Sequence, residues 1–546
     1  GSFMIFDDTF IQKITVILIS VILDEDMNLN EKITILWVDD EIDLLKPHIM
    51  FLEDKGYIIV TANNGVTAIE LIEKQHFDLV FLDENMPGLS GLETLIKLKD
   101  KQSNLSVIMI TKSEEESIME EAIGSKISDY LIKPVNPNQI LLSIKKHIDS
   151  ERLVSQKTNA DYQKEFRAIG MKLGASMNKE EWEELFKKIT FWDLELERSG
   201  DTGMKQILEM QKAEANAQFF KYIKSNYKSW LTDQEDSPLM SHQVFRKKVL
   251  PNIKEATCTF FVVIDNLRYD QWKMIESSIT SDFRIDEESL YYSILPTATQ
   301  YSRNAIFSGL LPLEMERLHK DWWKNDTDEG GKNMFEEQFL LAQLNRLGKS
   351  KIKISYNKIT NIDAGRKLVD NMQNLSHNNL NVIVYNFVDM LSHARTDMKV
   401  IKELAEDDAA YRSLTTSWFE HSPLKDMMYF ISRNKHKLVI TTDHGTVLVK
   451  KPTKVLGDKD LTTNLRYKQG RNMKYNNKEV FEIDNPKDVF LPSVNISSKY
   501  IFAREDYFFA YPNNFNYYVN HYKETFQHGG ISLEEMIIPI VTLSPK

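Results

Sequence analysis

KLVITTDHGT, residues 437–446, ends an apolar run on Asp443, His444 and Gly445, and LVFLDENMPG, residues 79–88, ends another on Asp83. Both runs read as strands that stop on an aspartate, and the fold depends on whether these are plain strand ends or sites. A short apolar run bounded by turn residues is the pattern of a strand buried on both faces in a parallel sheet. In such a sheet the C-terminal strand ends gather on one edge, so carboxylates far apart in sequence converge there.

Outward from LVFLD, apolar runs at 33–38 (ITILWV), 57–62 (YIIVTA), 106–111 (SVIMIT) and 129–132 (DYLI) alternate with amphipathic stretches. This predicts a doubly wound α/β domain over residues 28–150. Asp39 and Asp40 follow the first run, Asp83 the third, Thr111 ends the fourth and Lys133 follows the fifth. Three clustered carboxylates repel one another unless a hard cation such as Mg²⁺ lies among them.

Residues 151–250 change character. They are rich in Glu, Lys, Gln, Ala and Leu with apolar residues at helical spacing, as in EEWEELFKKITFWDLELE at 180–197. This predicts an all-α segment, either a rigid spacer or a dimerisation bundle. From TCTFFVVID at 257 the strand–helix alternation resumes, with an insert rich in Pro, Asn and aromatics at roughly 450–525, giving a second α/β domain over 251–546. Residues 1–27 read as a tag or upstream leader whose apolar run, ITVILISVIL at 14–23, is shorter than the ~20 residues a membrane span needs.

The second α/β domain repeats the strand-end pattern with different chemistry. FVVID ends on Asp265, VIVYNFVD on Asp389 and LVITTD on Asp443, with His393, His444 and His528 close by in sequence. Six N and O ligands suit two metal ions, because a catalytic ion with an open position needs about three protein ligands. Two ions some 4 Å apart suit attack at phosphorus. The nucleophile then belongs at a helix start, where backbone N–H groups favour an anion, and LPTATQYSRNAIFSG at 295–309 offers Thr297, Thr299 and Ser302.

Bulk properties narrow the class. A chain of 546 residues with 42% hydrophobic content supports several packed cores, and a net charge of −12 disfavours a protein that coats duplex nucleic acid. The single cysteine, Cys258, excludes a disulfide framework and thiolate-rich zinc sites, and fits a reducing compartment.

With Asp39, Asp40, Asp83, Thr111 and Lys133–Pro134 in this order, the first domain resembles the receiver domain of two-component response regulators. The resemblance implies Asp83 as phosphoacceptor. Asp39, Asp40, Asp83 and the backbone of Asn85 would hold Mg²⁺, with Thr111 and Lys133 on the phosphoryl group and Tyr130 as the switch aromatic.

The C-terminal domain resembles the alkaline phosphatase superfamily. By that resemblance Asp265, Thr299, Asp443 and His444 would bind one zinc, and Asp389, His393 and His528 a second. In the resembled family the nucleophile lies ten residues before a glycine that ends the helix, here Gly309, which implies Thr299 as nucleophile with Thr297 as the alternative; Ser302 and Arg303 match a sulfatase-like Ser-Arg. A threonine nucleophile argues against sulfatase chemistry.

Receiver, helical linker and C-terminal domain together resemble the PglZ-type response regulators known as PorX. That resemblance implies a sensor histidine kinase partner, a cytoplasmic location, a role in type IX secretion and gliding, and dimerisation on phosphorylation. It gives no membrane insertion and no helix-turn-helix DNA-binding output.

For the substrate, a phosphodiester is expected, a nucleotide or a short cyclic or linear oligonucleotide. A phosphomonoester is the alternative, as is regulation by contact with a sigma factor or secretion component. Arg268 and Arg303 are the cations named near the site, since monoesterases of the superfamily aim a cation at the terminal phosphate oxygens. YFFAYPNNFNYY, 507–518, would stack bases or pack as core, and RYKQGRNMK, 466–474, would hold a phosphate backbone.

Overall fold

The computed structural model describes residues 33–102, 105–112, 127–145, 150–200, 202–232, 237–254, 257–386, 407–458, 461–495 and 497–546. Asp389, His393 and the expected leader at 1–27 lie outside them. The chain divides into two compact units, one of residues up to Ala168 with Glu195–Ile207, the other of Ile169–Leu194 with Leu208–Lys546.

In the first unit, β1 (Thr34–Val38), β2 (Ile58–Ala62), β3 (Leu79–Asp83), β4 (Ser106–Thr111) and β5 (Asp129–Ile132) form a parallel sheet in the order β2-β1-β3-β4-β5. Alternation of side chains sends Leu36, Val38, Val80 and Leu82 to one face and Ile35, Trp37, Leu79 and Phe81 to the other. Helices α1 (Lys46–Asp54) and α4 (Pro137–Ile144) cover the Trp37 face with Leu52, Ile140 and Ile144. Helices α2 (Gly65–Lys74) and α3 (Gly91–Lys101) cover the other with Ala68, Ile72, Leu95 and Leu98.

Capping sets where these helices begin. Ser90 and Glu93 close a capping box on α3, satisfying two N–H groups that the helix cannot pair itself. The start of α3 lies so close to the end of β3 that a Cβ at Gly91 would fall 2.4 Å from the Asp83 carbonyl. A side chain there would push the Asp83 strand end out of place.

Three long helices follow, α5 (Ser150–Leu173), α6 (Lys179–Ser199) and α7 (Thr202–Thr232). In the second unit, the sheet runs β7-β14-β10-β6-β9-β8. Its strands are β6 (Thr259–Ile264), β7 (Phe283–Tyr292), β8 (Ile354–Ile359), β9 (Leu380–Tyr385), β10 (Lys437–Thr441) and the antiparallel β14 (Ile537–Pro545). Every residue of β6, TFFVVI, is buried, as a strand covered on both faces requires. Within this unit the helical segment packs against the C-terminal domain. Trp182 stacks edge-on to Phe219 at 5.3 Å, Trp230 to Tyr292 at 5.5 Å, and the Tyr227 hydroxyl accepts from Leu295 N at 2.8 Å.

The registers of β10 with β6 and of β6 with β9 place three parallel strand ends side by side. Helix α8 (Tyr269–Thr280) follows β6, and α9 (Thr299–Ser308) starts at the sheet edge. Helix α9 packs on α10 (Glu336–Arg346), where Gln343 Nε2 donates to the Phe307 carbonyl at 2.7 Å. Gly309 ends α9 at φ +64° with Gln343 against it, so a Cβ would meet Oε1 at 2.4 Å. The insert contributes an antiparallel sheet ordered β11 (Tyr467–Gly470), β13 (Lys499–Ala503), β12 (Val480–Ile483).

Two candidate metal centres

In the first unit Asp39, Asp40 and Asp83 each bring one carboxylate oxygen within 4.8 Å of the others. Asp39 and Asp83 are buried and Asp40 is exposed. Lys133 donates to Asp39 Oδ2 at 2.8 Å and lies 3.0 Å from Asp83 Oδ2. Burial pushes the Asp83 carboxyl up; Lys133 opposes it without cancelling it. Asp83 Oδ1 is buried with no hydrogen-bond partner, an oxygen that a cation would satisfy. Thr111 is buried at the end of the neighbouring β4, Asn85 is exposed just past β3, and Tyr130 on β5 is 40% exposed.

The second cluster is deeper. Asp265, Asp443 and His444 are all buried and bring one ligand atom each within 4.8 Å of one another. Asp443 Oδ1 accepts from Asn266 N at 3.2 Å and from His444 N at 3.1 Å, whereas Oδ2 is buried without a hydrogen-bond partner. His444 Nδ1 faces the Gly445 carbonyl at 3.0 Å, so it carries the proton and Nε2 keeps the lone pair a metal would use. Gly445 is needed there because a Cβ would lie 1.9 Å from the Glu534 carbonyl.

Thr299 is the first residue of α9. Its Oγ1 lies 3.0 Å from His444 Nε2 and 3.3 Å from Asp265 Oδ1. The four atoms Asp265 Oδ1, Asp443 Oδ2, His444 Nε2 and Thr299 Oγ1 form an N/O set of the kind that four-coordinate zinc takes. Thr297 does something else. Its buried hydroxyl donates to the Gly530 carbonyl at 2.9 Å and accepts from Gly529 N at 3.0 Å, tying down the loop that carries His528. The His528 ring stacks on His444 at 4.2 Å, with Nδ1 3.1 Å from the Thr297 carbonyl. The His528 ring thus lies against His444 but is not one of the three residues whose ligand atoms cluster, and Asp389 and His393, its expected companions, fall outside the described residues.

Charges sharpen this pocket. Burial raises Asp443 to about 6, and the neighbouring charge of Asp265 adds to it. Burial pushes Asp265 up as well, but Arg303 together with His444 and Asp443 more than offsets it and holds that carboxyl below its usual range. Arg303 Nη1 donates to Asp265 Oδ2 at 2.5 Å and its Nε pairs with Glu336.

Several sequence expectations need correction. Arg268 is not aimed at the pocket: its guanidinium donates to Asp270 and Asp408 and lies over the rings of Tyr411 and Phe526. Arg303 is buried and committed to Asp265 and Glu336. Arg466 cannot hold a phosphate backbone, since it is fully buried and paired with Glu535 at 2.6 Å. The aromatic stretch divides, with Phe508 and Phe509 in the core and Tyr517 67% exposed.

Glu336, Lys358 and Asn333 were missed because nothing in their local sequence marks them. A buried network of Arg268, Asp270, Arg412, Asp193 and Lys212 was missed too. The one available signal was Arg303, a cation set among apolar positions of a helix.

An acidic cluster at the edge of one parallel sheet and an Asp/His cluster at the edge of a second fit a response regulator that carries an alkaline phosphatase-like domain. Comparison with known families agrees: residues 35–145 match the response regulator receiver domain, 152–231 the PorX response regulator linker domain, and 244–543 the BREX system PglZ alkaline phosphatase-like domain. The last match covers more than half of the chain, which belongs to the PglZ alkaline phosphatase-like family and has the make-up of a PorX-type response regulator.

Among curated relatives, the alginate biosynthesis transcriptional regulatory protein AlgB of Pseudomonas syringae pv. tomato is 34% identical over 119 residues, 22% of this chain and 27% of that one. ResD of Bacillus subtilis is 33% identical over 22% of this chain and 49% of its own, and NarL of Escherichia coli is 33% identical over 24% and 61%. The chain thus spans less than two thirds of the length of each. A solved structure, the response regulator TrrA of Thermotoga maritima in complex with Mg²⁺-BeF, is 31% identical, covering 21% of this chain and 97% of that one with a TM-score of 0.20. No described helix is long and apolar enough to cross a membrane.

Proposed function

We propose that this protein is a cytoplasmic response regulator in which phosphorylation of Asp83 controls a zinc-dependent phosphodiesterase. The observation that carries the enzyme reading is the Thr299 hydroxyl, at a helix start, 3.0 Å from His444 Nε2 and beside Asp265 and the orphaned Asp443 Oδ2. A closed structural zinc site has no use for a hydroxyl in that place.

Zinc held by Asp265, Asp443, His444 and Thr299, with a second ion at His528, Asp389 and His393, would lower the pKa of the hydroxyl and neutralise the phosphoester. Thr299 Oγ1, its proton passed to solvent, would bond to phosphorus as the ester oxygen on the opposite side leaves with the electron pair and takes a proton from water; a second water would then break the Oγ1–phosphorus bond, releasing the phosphate monoester and returning a proton to Oγ1. Thr299 is the first residue of α9, and a helix start favours an anion, so the phosphoryl group would meet the positive end of that helix.

Arg268 and Arg303 are both committed to buried carboxylates, so neither covers the terminal oxygens of a monoester. This supports a diester, a nucleotide or short cyclic or linear oligonucleotide, over a monoester. The PorX linker match supports a part in type IX secretion and gliding, and a receiver supports dimerisation on phosphorylation. In the receiver, Asp39, Asp40, Asp83 and the Asn85 backbone would hold Mg²⁺, and Thr111, Tyr130 and Lys133 would respond to the phosphoryl group.

The test is turnover of bis(p-nitrophenyl) phosphate against p-nitrophenyl phosphate by zinc-loaded protein. Diester cleavage lost in Thr299→Ala is the expected result. Faster monoester cleavage, or turnover untouched by that substitution, overturns the assignment.

A further inference from the structure

Asp265 is held from behind by groups that take no part in the ligand set. Arg303, one helical turn after Thr299, gives Nη1 to Asp265 Oδ2 at 2.5 Å and lies 3.7 Å from Asp443 Oδ2. Its Nε pairs with Glu336, whose other oxygen takes Lys358 Nζ at 3.0 Å and the Tyr356 hydroxyl. Lys358 also donates to the Asn333 carbonyl at 2.9 Å, and Asn333 Nδ2 donates to the Thr299 carbonyl at 3.1 Å. With Thr299 Oγ1 at 3.3 Å from Asp265 Oδ1, the chain of contacts closes on itself.

The consequence is geometric. Arg303, Asp265 and Glu336 are each about 1% exposed in their side chains, so no water competes for these contacts. Oδ2 of Asp265 is used up, and only Oδ1 faces the pocket. A rigid guanidinium fork fixed at both ends does this in a way a lysine point charge cannot. A carboxylate offering one oxygen suits a small four-coordinate ion, whereas larger hard cations take carboxylates through both oxygens.

We propose that Arg303 and Glu336 are positioning residues that hold Asp265 as a one-oxygen metal ligand and, through Lys358 and Asn333, set the Thr299 hydroxyl against it. This rests on the reading of Asp265, Asp443 and His444 as a metal site. Outer partners of this kind are worth about 10- to 100-fold in metal affinity.

The experiment measures zinc affinity of full-length protein by competition with a chromogenic chelator, and the visible spectrum of the cobalt(II)-loaded form. Arg303→Lys and Glu336→Gln should bind zinc about 10- to 100-fold more weakly and shift the cobalt spectrum away from the four-coordinate form. Arg303→Met removes a buried cation and can unfold the domain, so the two volume-preserving variants decide the matter, with circular dichroism confirming their fold. Variants that melt earlier yet keep wild-type zinc affinity and cobalt spectrum make the layer merely structural and overturn the inference alone. Wild-type protein that binds no zinc overturns both this inference and the proposed function.

Discussion

The two acidic clusters are built on the same principle and finished differently. Each lies where parallel strands end, and each has a buried carboxylate oxygen without a hydrogen-bond partner, Asp83 Oδ1 in one and Asp443 Oδ2 in the other. Each also receives a cation. Lys133 reaches both Asp39 and Asp83 on a flexible stem, with 15% of its side chain exposed, and no second anion fixes it from behind among the described residues. Arg303 is 1% exposed and held between Asp265 and Glu336. An ammonium on a flexible stem is able to re-pair with a phosphoryl group added to Asp83; a guanidinium held between two carboxylates keeps a ligand in one pose. One cluster is suited to changing state, the other to keeping its shape.

The largest expected effects would break this contrast outright. Asp83→Asn should abolish phosphoryl uptake from a small acyl phosphate, read by intact-protein mass, and with it any response of diester turnover to acyl phosphate, while the basal diester turnover measured without acyl phosphate persists. Thr299→Ala should lower diester turnover on the order of 10³-fold or more while acyl phosphate labelling persists. If either substitution silences both activities, the clusters are not independent chemical sites.

Metal removal comes next. Zinc at about 100 times its dissociation constant should stabilise the C-terminal unit by about 2.7 kcal/mol, read as a calorimetric transition that chelator shifts downward. The raised Asp443 supplies a pH dependence. Its proton competes with metal below about 6, so the zinc-induced shift should grow as pH rises through that value. A shift that stays constant from about pH 5 to about pH 7 would remove Asp443 from the ligand set.

Thr297→Ala separates structure from chemistry. It leaves the buried Gly529 N and Gly530 carbonyl without their partner, at a cost of about 1–3 kcal/mol. Denaturant unfolding should show that loss, and residual turnover should exceed that of Thr299→Ala.

The smallest effect concerns a third cation, Lys468, buried with no carboxylate within 4.0 Å among the described residues. It donates to the Thr462 carbonyl at 2.6 Å and lies 5.0 Å from the Tyr511 ring. Burial pulls it down to about 7. Below that pH it is charged in both folded and unfolded chains, and the burial penalty is fully present. Above it the folded chain sheds the proton first, so stability should rise with pH toward the unfolded value. Lys468→Met should flatten that rise, a change of about 1 kcal/mol between about pH 7 and about pH 8, read as stability from urea unfolding at the two pH values.

Much of this was legible in the sequence. ITILWV, LVFLD and SVIMIT announced buried parallel strands, and the parallel arrangement alone put Asp39 and Asp83, or Asp265 and Asp443, on one edge. Thr299 and Thr297 were both singled out in the sequence, and in the structure the first hydroxyl meets His444 and Asp265 while the second bonds the Gly529–Gly530 backbone. The basic residues were where sequence reasoning failed. Arg268, Arg303 and Arg466 look like phosphate-binding cations in a linear string, yet each is buried against a carboxylate.

The sequence by itself determined the strand ends, their aspartates and the order of domains, because apolar periodicity and strand polarity act locally and repeat. Only the tertiary structure decided which threonine meets His444, which arginine meets Asp265, and that the helical segment packs on Tyr292 through Trp230. Those choices rest on partners far apart in the chain, Arg466 with Glu535 or Arg412 with Asp193, and a buried charge takes whichever opposite charge the fold brings within reach.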